Sequence, residues 1–390
     1  MSDKPVIIRI HSANSLPFTV EQGAVQTGVI ETNKFLKDDF NIHVFHGSND
    51  RDAIQNREGV TYHAISLNSF EKLLPDYFYL KKCCQKIRKL LPQILHVHNR
   101  PLYVPYLRKH IPDSVKIVLH EHNHNLRDAM PHNKAVQVLK DCDHVIEISN
   151  FAFQHDIVEA FADYAPKCSI VHRGVNPERF RPRWKIADYV CNLKKLFQIP
   201  ENKKVILYVG AIEEKKGIHL LLDAFKRLIE HTDDVILVIA GGSSYHTAPR
   251  GDFGEQFMRS ITELGNKVKY LGFIPASEIT QIYLLGDIFC APSMWDEPFG
   301  LVFVEAQASG LPVVASARGG ITDIIIDNET GLLVTNPEDT SSLAEKLFML
   351  VNDEKLRDKI AKAGHKRTLE NFTWERAAGK YAEIYRKLIK

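Results

Sequence analysis

The feature that most restricts this chain is an alternation that runs through it twice. Short, largely apolar runs are separated by amphipathic stretches, and after a break the same pattern starts again. In the first half, 6–10, 42–46, 94–98, 116–120 and 144–148 read as strands, with helical patterns at 24–37 and 77–91. Near-continuous apolar character suits strands covered on both faces, the condition of a parallel sheet. A βαβ alternation of this kind predicts a doubly wound α/β domain. The second run has strands at 205–209, 235–240, 268–271, 288–291 and 313–315, with helices at 218–231, 253–264, 277–285 and 341–351. Two further helices, 354–370 and 374–388, close the chain. Between the runs, 176–202 holds Pro177, Pro182 and Pro200 among many basic residues. The reading is a first domain at 1–178, a linker at 179–202, a second domain at 203–372 and a closing segment at 373–390. Two domains in tandem make a cleft. Ligands of such sheets bind outside the carboxyl ends of the strands, so residues just after strands are the candidates.

Charge and cysteine usage exclude several classes. Fifty basic residues against 48 acidic give a net charge of +2, which argues against general nucleic-acid binding. Six cysteines, with no CxxC pair, read as reduced thiols of a cytoplasmic protein. No apolar run approaches the ~20 residues that span a bilayer, and the amino terminus reads as a strand rather than a signal peptide.

The sharpest local signal is CAPSMWDEPFGLVFVEAQASGLPVVAS, from Cys290 to Ser316. A strand ends at Ala291 and Glu297 follows in a loop. Pro298 suits a first helical turn, 299–309 a helix, and Gly310 and Pro312 a stop. The N–H groups of Phe299, Gly300, Leu301 and Val302 would then lie at a helix start that favours anions. Gly300 leaves room for a closely approaching ligand, and Glu305 lies about two turns into the helix. A second anion site is suggested by VGAIEEKKG, which places Gly210 at a strand end and Lys215, Lys216 and Gly217 after it. The spacing is not that of a Walker A loop, and a lone lysine is as readily a solvated one.

The Glu297-Pro-Phe-Gly-Leu segment, seven residues between Glu297 and Glu305, and then EAQASGLPVVAS, ARGG and TGLLV, resemble the retaining family-4 glycosyltransferases of the GT-B fold. VILYVGAIEEKKG, VILVIAGG, VKYLGFIP and FTWERAAGKYAEIY extend the resemblance. It implies two Rossmann-like domains facing across a cleft, with the final helix returning to the first. It implies a nucleotide diphosphate sugar as donor, no cofactor and no metal. Glu297 would touch the donor sugar hydroxyls near the reacting carbon, Glu305 the ribose hydroxyls and Lys216 the diphosphate. Gly300 and Leu301 would give backbone N–H groups, and Phe273 and Ile274 would lie by the base. Two departures stand out. Ala211 occupies the place where the family usually has arginine, which leaves Lys215 or another basic residue to substitute. Gln22-Gly23 replaces the usual pair of glycines, with Gly23 the close-approach point; as a plain reading it is a turn glycine.

Two first-half strands end in His-x-His, in HVHNRP (His96, His98) and LHEHNHN (His120, His122, His124). Alternate residues on a strand face the same way, so a metal cluster is conceivable. No carboxylate or cysteine stands at a recognisable ligand spacing, and the plainer reading is a wet polar cleft. The resemblance puts one histidine beside the reacting sugar: His122 matches best, with His120 the runner-up. VHNRP resembles a subset that includes spore-coat-like and envelope sugar transferases, with His98, Asn99 and Arg100 toward the acceptor. Arg173 stands where the family usually has asparagine. The basic stretch 71–91 reads as a core-facing helix with a solvated basic face; the other reading is an interfacial helix toward anionic lipid. The latter fits a glycan or lipid-linked acceptor and peripheral contact with the inner face of the membrane.

The implied reaction moves a hexosyl group from the donor to an acceptor hydroxyl with retention, in cell-envelope polysaccharide, lipopolysaccharide or glycolipid synthesis. Two other readings share the fold: another GT-B enzyme, such as a sugar-nucleotide epimerase or a phosphorylase, and a non-catalytic sugar-nucleotide-binding or coat protein.

Overall fold

The computed structural model describes residues 4–14, 23–243 and 250–390. They form two compact units, Met1–Gly174 with Trp374–Lys390, and Val175–Thr373. The strands of the first are β1 (Val6–Ile10), β2 (Asn41–Ser48), β3 (Ala53–Arg57), β4 (Val60–Ser66), β5 (Ile94–His98), β6 (Lys116–His120), β7 (His144–Glu147) and β8 (Cys168–Ile170). They pair in the order β3-β4-β2-β1-β5-β6-β7-β8, all parallel except β3, which runs against β4. The sequence reading missed β3 and β4; Ala53–Arg57 is polar and exposed at the sheet edge, while Val60–Ser66 mixes polar with apolar residues although it is largely buried. The second unit has β9 (Lys204–Val209), β10 (Val235–Ala240), β11 (Val268–Tyr270), β12 (Ile288–Ala291), β13 (Val313–Ser316) and β14 (Leu332–Val334). Their order, β11-β10-β9-β12-β13-β14, is parallel throughout.

Each sheet grows outward in both directions from its first strand. The chain order therefore reverses between β1 and β5 in one unit and between β9 and β12 in the other. At such a reversal the two connections leave in opposite directions and open a crevice at the carboxyl edge. The final helix, Trp374–Ile389, belongs to the first unit, where Tyr385 is fully buried and Arg386 pairs with Asp39 at 2.5 Å. The helix Pro75–Leu90 faces the core through Tyr79, Leu80, Cys83, Cys84 and Ile87. Among its basic residues, Lys82 pairs with Glu71 at 2.8 Å and Arg88 holds the carbonyl of His110. No helix among the described residues is long and apolar enough to cross a membrane.

The segment 179–202 is not a bare connector. It contains the helix Ala187–Leu196, which buries Val190 and Leu193 in the second unit. Asp287, just before β12, anchors it: Arg183 reaches the carboxylate at 2.7 Å, Lys194 at 2.9 Å, and the Val205 N–H donates to it at 2.8 Å. Burial alone would push the Asp287 carboxyl up, but the two cations and the N–H outweigh it and hold the group below its ordinary value. A carboxylate depressed in the folded state contributes stability above its ordinary value of 3.8, which is lost as pH falls through the folded value. Asp287→Asn leaves two half-buried cations without their partner. It is expected to lower stability at neutral pH by about 3–5 kcal/mol and to flatten the acid limb of the pH–stability curve, both measured by urea unfolding.

Candidate functional site

In the second unit the crevice lies where β9 and β12 part. Lys216 follows β9 and Glu297 follows β12, and their side chains meet, Nζ to Oε1, at 2.5 Å. The same oxygen accepts from the Ser293 hydroxyl at 3.2 Å. Lys216 also stands 4.9 Å from the centre of the Trp295 ring, a cation–π contact that fixes its approach. Gly217, at φ +70°, lets the turn after Lys216 pass against the Pro292 carbonyl, which a Cβ there would meet at 1.8 Å. Lys215 points to Glu213 at 3.0 Å and is half exposed.

The loop that carries Glu297 is held by glycines. The Gly320 N–H donates to the Glu297 carbonyl at 2.6 Å, and a Cβ on Gly319 (φ +54°) would lie 2.4 Å from that oxygen. The helix begins later than the sequence suggested, at Leu301 and not at Phe299. Gly300 has φ +99° and caps the helix, so Pro298 and Phe299 stay in the loop, with the Phe299 ring buried against Phe372. The orphan N–H groups at the start are therefore those of Leu301 and Val302, while Phe303 N–H turns back to the Gly300 carbonyl at 3.1 Å. Glu305 sits one turn in and accepts from the Tyr283 hydroxyl at 2.8 Å.

Beside these groups is a cavity of about 330 Å³ lined by Gly210, Ala211, Gly241, Phe273 and Ile274, among others. Gly241 is at φ +154°, and a Cβ there would meet the Gly210 carbonyl at 1.8 Å. The Ala211 position opens directly on this cavity.

The crevice of the first unit, between β1 and β5, holds a different chemistry. Arg9, only 1% exposed, donates from Nη1 to Thr32 Oγ1 at 2.8 Å and Asn33 Oδ1 at 2.7 Å, and from Nε to His98 Nε2 at 3.1 Å. His98 Nδ1 is 3.2 Å from His122 Nε2. His96 bridges the Tyr385 hydroxyl at 2.5 Å and His120 Nδ1 at 3.2 Å. Burial, then the nearby cationic and imidazole groups, hold His96, His98, His120 and His122 well below the usual histidine value, so all are neutral at pH 7. That fixes a proton order. Arginine only donates, so His98 Nε2 accepts and its proton is on Nδ1. His98 then donates to His122 Nε2, which leaves the His122 proton on Nδ1, a buried atom with no partner.

The loop after β6 is organised by Asn99, at φ +54°. Its Oδ1 accepts from the His122 N–H at 3.2 Å and from Asn125 at 2.8 Å. Arg100 is exposed and touches the Asn99 carbonyl. Gly23 precedes the helix Ala24–Leu36 and gives its N–H to Gln26 at 3.1 Å, whereas Gln22 lies outside the described residues. Arg173 reaches the Ala24 carbonyl, which accounts for a long cation in that place.

The second half of the chain, residues 192–367, matches the family model for glycosyl transferases group 1, and residues 25–179 match that for Glycosyltransferase Family 4. The chain belongs to the family-4 glycosyltransferases. Spore coat protein SA of Bacillus subtilis is 27% identical over 77% of this chain and 80% of its own. The lipopolysaccharide 1,2-N-acetylglucosaminetransferase of Salmonella typhimurium is 27% identical over 74% and 71%. A solved glycosyltransferase from Rickettsia africae is 25% identical, with a TM-score of 0.81 over 100% of this chain and 99% of its own. The fold is GT-B.

Of the family-4 candidates, Lys216 meets Glu297, Gly210 and Ile274 share the cavity, and His98 meets His122. Glu305 is held by a tyrosine and Lys215 by a neighbouring glutamate. The sequence reading missed Ser293, Trp295 and Arg9. A single arginine inside the apolar run VIIRI was the available signal for Arg9, since a charge there must find buried partners.

Gly319→Ala is expected to lower stability by at least about 1–2 kcal/mol, through its left-handed backbone and the clash with Glu297. Gly379→Ala, in a helix with open space around it, is expected to raise stability by about 0.5–1 kcal/mol; urea unfolding of both variants makes the comparison. Histidine ¹⁵N shifts are expected to show His122 protonated on Nδ1, and a His122 protonated on Nε2 would contradict the Arg9–His98 order.

Proposed function

We propose that this glycosyltransferase moves a hexosyl group, with retention, from a nucleotide diphosphate sugar to an acceptor hydroxyl in cell-envelope glycan synthesis. The observation that carries the reading is the Lys216–Glu297 pair at the β9/β12 crevice, beside an anion-favouring helix start and a cavity fit for a flat base. The chemical problem is negative charge growing on the departing diphosphate. Lys216 and the N–H groups of Leu301 and Val302 meet that charge with donors already in place. Glu297, fixed by Ser293 and the Gly320 N–H, orients the sugar hydroxyls and favours positive charge at the reacting carbon. Glu305 serves the ribose, and Phe273 and Ile274 flank the base. His122 acts on the sugar through its unpartnered Nδ1–H. The reading assigns no cofactor.

A lipid-linked acceptor is supported by exposed Phe70, Leu73, Leu74 and Tyr77 next to the basic Lys81 and Lys89. These apolar side chains suit peripheral contact with a membrane. The relative from Salmonella, by its name, acts on lipopolysaccharide.

Thermal unfolding with UDP, GDP, ADP and CMP, each with and without EDTA, is the first test. One diphosphate is expected to raise the Tm by an increment that EDTA does not change. Its sugar nucleotides then serve as donors in transfer assays. Glu297→Ala and Lys216→Ala are each expected to lower kcat about 10²–10³-fold while remaining folded. Near-normal turnover in both would sink the site assignment. A Tm rise with no transfer from any donor would favour the non-catalytic reading, for which Ala211, in the place of the usual arginine, is the specific observation.

A further inference from the structure

Next to the histidine chain, the first unit holds a second polar cluster of opposite electrical character. His124 Nδ1 lies 2.8 Å from one oxygen of Asp156, and His155 Nδ1 lies 2.7 Å from the other. One ligand atom from each of the three falls within 4.8 Å of the others. Asp156 is 1% exposed. Two more carboxyl groups, Glu121 and Glu147, are equally buried, and the Oε1 atom of each has no hydrogen-bond partner. Both lie close enough to Asp156 for its charge to act on them. Among the described residues Glu121 accepts from Asn125, whose side-chain amide lies at 2.8 Å. Among the described residues no lysine or arginine forms an ion pair with any of the three carboxylates.

Burial pushes Glu121 up to about 8 and Glu147 well above the ordinary carboxyl value, so both favour the protonated form at neutral pH. The contrast with His96, His98 and His120 is instructive. Those rings also come within 4.8 Å of one another, but the Arg9 guanidinium is bonded to His98, and among the described residues no carboxylate joins the group. A metal ion there would be repelled; at Asp156 it would be attracted. The backbone is built for the second cluster as well. His155 and Asp156 lie in a π-helical turn, Phe153–Val158, a rare backbone form that is frequent at functional sites. Arg127 ties that turn to the helix Asn125–Asp128 by donating to the His155 carbonyl at 2.9 Å.

We propose that His124, His155 and Asp156 bind one first-row divalent cation. Two imidazoles and a carboxylate suit Zn²⁺ and its neighbours, not Mg²⁺ or Ca²⁺, which take oxygen ligands. Tetrahedral Zn²⁺ with bonds of about 2.1 Å spaces its ligands at roughly 3.4 Å, so the 2.7 and 2.8 Å contacts would each widen by about 0.6–0.7 Å. The ion would pin the loop 121–124 to the π turn, and that loop carries His122. This site stands apart from the donor chemistry and does not depend on the transfer reaction.

The test uses the full chain with Cys191→Ser, which removes the exposed thiol, after dialysis against EDTA. Titration calorimetry with ZnCl₂ is expected to show one equivalent bound, with a rise in Tm that CaCl₂ and MgCl₂ do not give. Co²⁺ is expected to give d–d absorption bands without a thiolate charge-transfer band. His155→Gln, at a partly exposed position, is expected to weaken Zn²⁺ binding at least tenfold. Zn²⁺ is also expected to protect His124 and His155 from diethyl pyrocarbonate in the unsubstituted protein, read by peptide mass, which needs no variant to fold. Absence of Zn²⁺ binding, equal binding of Ca²⁺, undiminished binding by His155→Gln, or modification of both histidines at an unchanged rate would each overturn the assignment.

Discussion

Both candidate crevices in this protein depend on one constraint of parallel sheets. A sheet that grows on both sides of its first strand must reverse its order once, and at the reversal no connection covers the carboxyl edge. Both units do this, at β1/β5 and at β9/β12. The residues that follow those strands are therefore the ones free to meet a ligand. Lys216 and Glu297 are 81 positions apart in the chain, yet the reversal makes them partners at 2.5 Å. Arg9 and His98, 89 apart, meet in the same way at 3.1 Å.

The two crevices solve the problem of buried polarity differently. In the second unit a cation and a carboxylate neutralise each other, and the glycines at 319 and 320 supply the close backbone approach that fixes the glutamate. In the first unit no carboxylate among the described residues pairs with the buried guanidinium; neutral oxygens and an imidazole take its N–H groups. That arrangement holds only while the histidines stay neutral, which their burial ensures. The carboxylates of the same unit gather a short way along the loop, around Asp156. Burial, with a smaller push from the Asp156 charge, raises Glu121 to about 8, so that carboxyl favours its protonated form at neutral pH.

Much of the fold was legible because a parallel sheet writes itself in continuous apolar runs. Val6–Ile10, Ile94–His98 and Val235–Ala240 fall where those runs lie. The edge strand β3 was not, since an edge strand can be polar on both faces and carries no periodic signal. The helix at Ala187–Leu196 was hidden behind prolines that marked a break in pattern. The buried Val190 and Leu193 and the Asp287 ion pairs, formed across more than ninety positions, draw it into the second unit.

Residue type and spacing by themselves determined the class of fold, the strand ends where chemistry could sit, and Glu297, Lys216 and the histidines as candidates. Local patterns suffice for this, because apolar periodicity and turn residues act over a few positions. Only the tertiary structure decided which candidates meet. It placed the helix start at Leu301, since the left-handed Gly300 and the contacts from Gly319 and Gly320 keep Pro298 and Phe299 in the loop. It also fixed the proton on His122, through an arginine from a different strand, and gathered Glu121, His124, Glu147, His155 and Asp156 from separate segments. Such outcomes depend on contacts between distant parts of the chain, and their energies come from burial and charge that no single stretch of sequence contains.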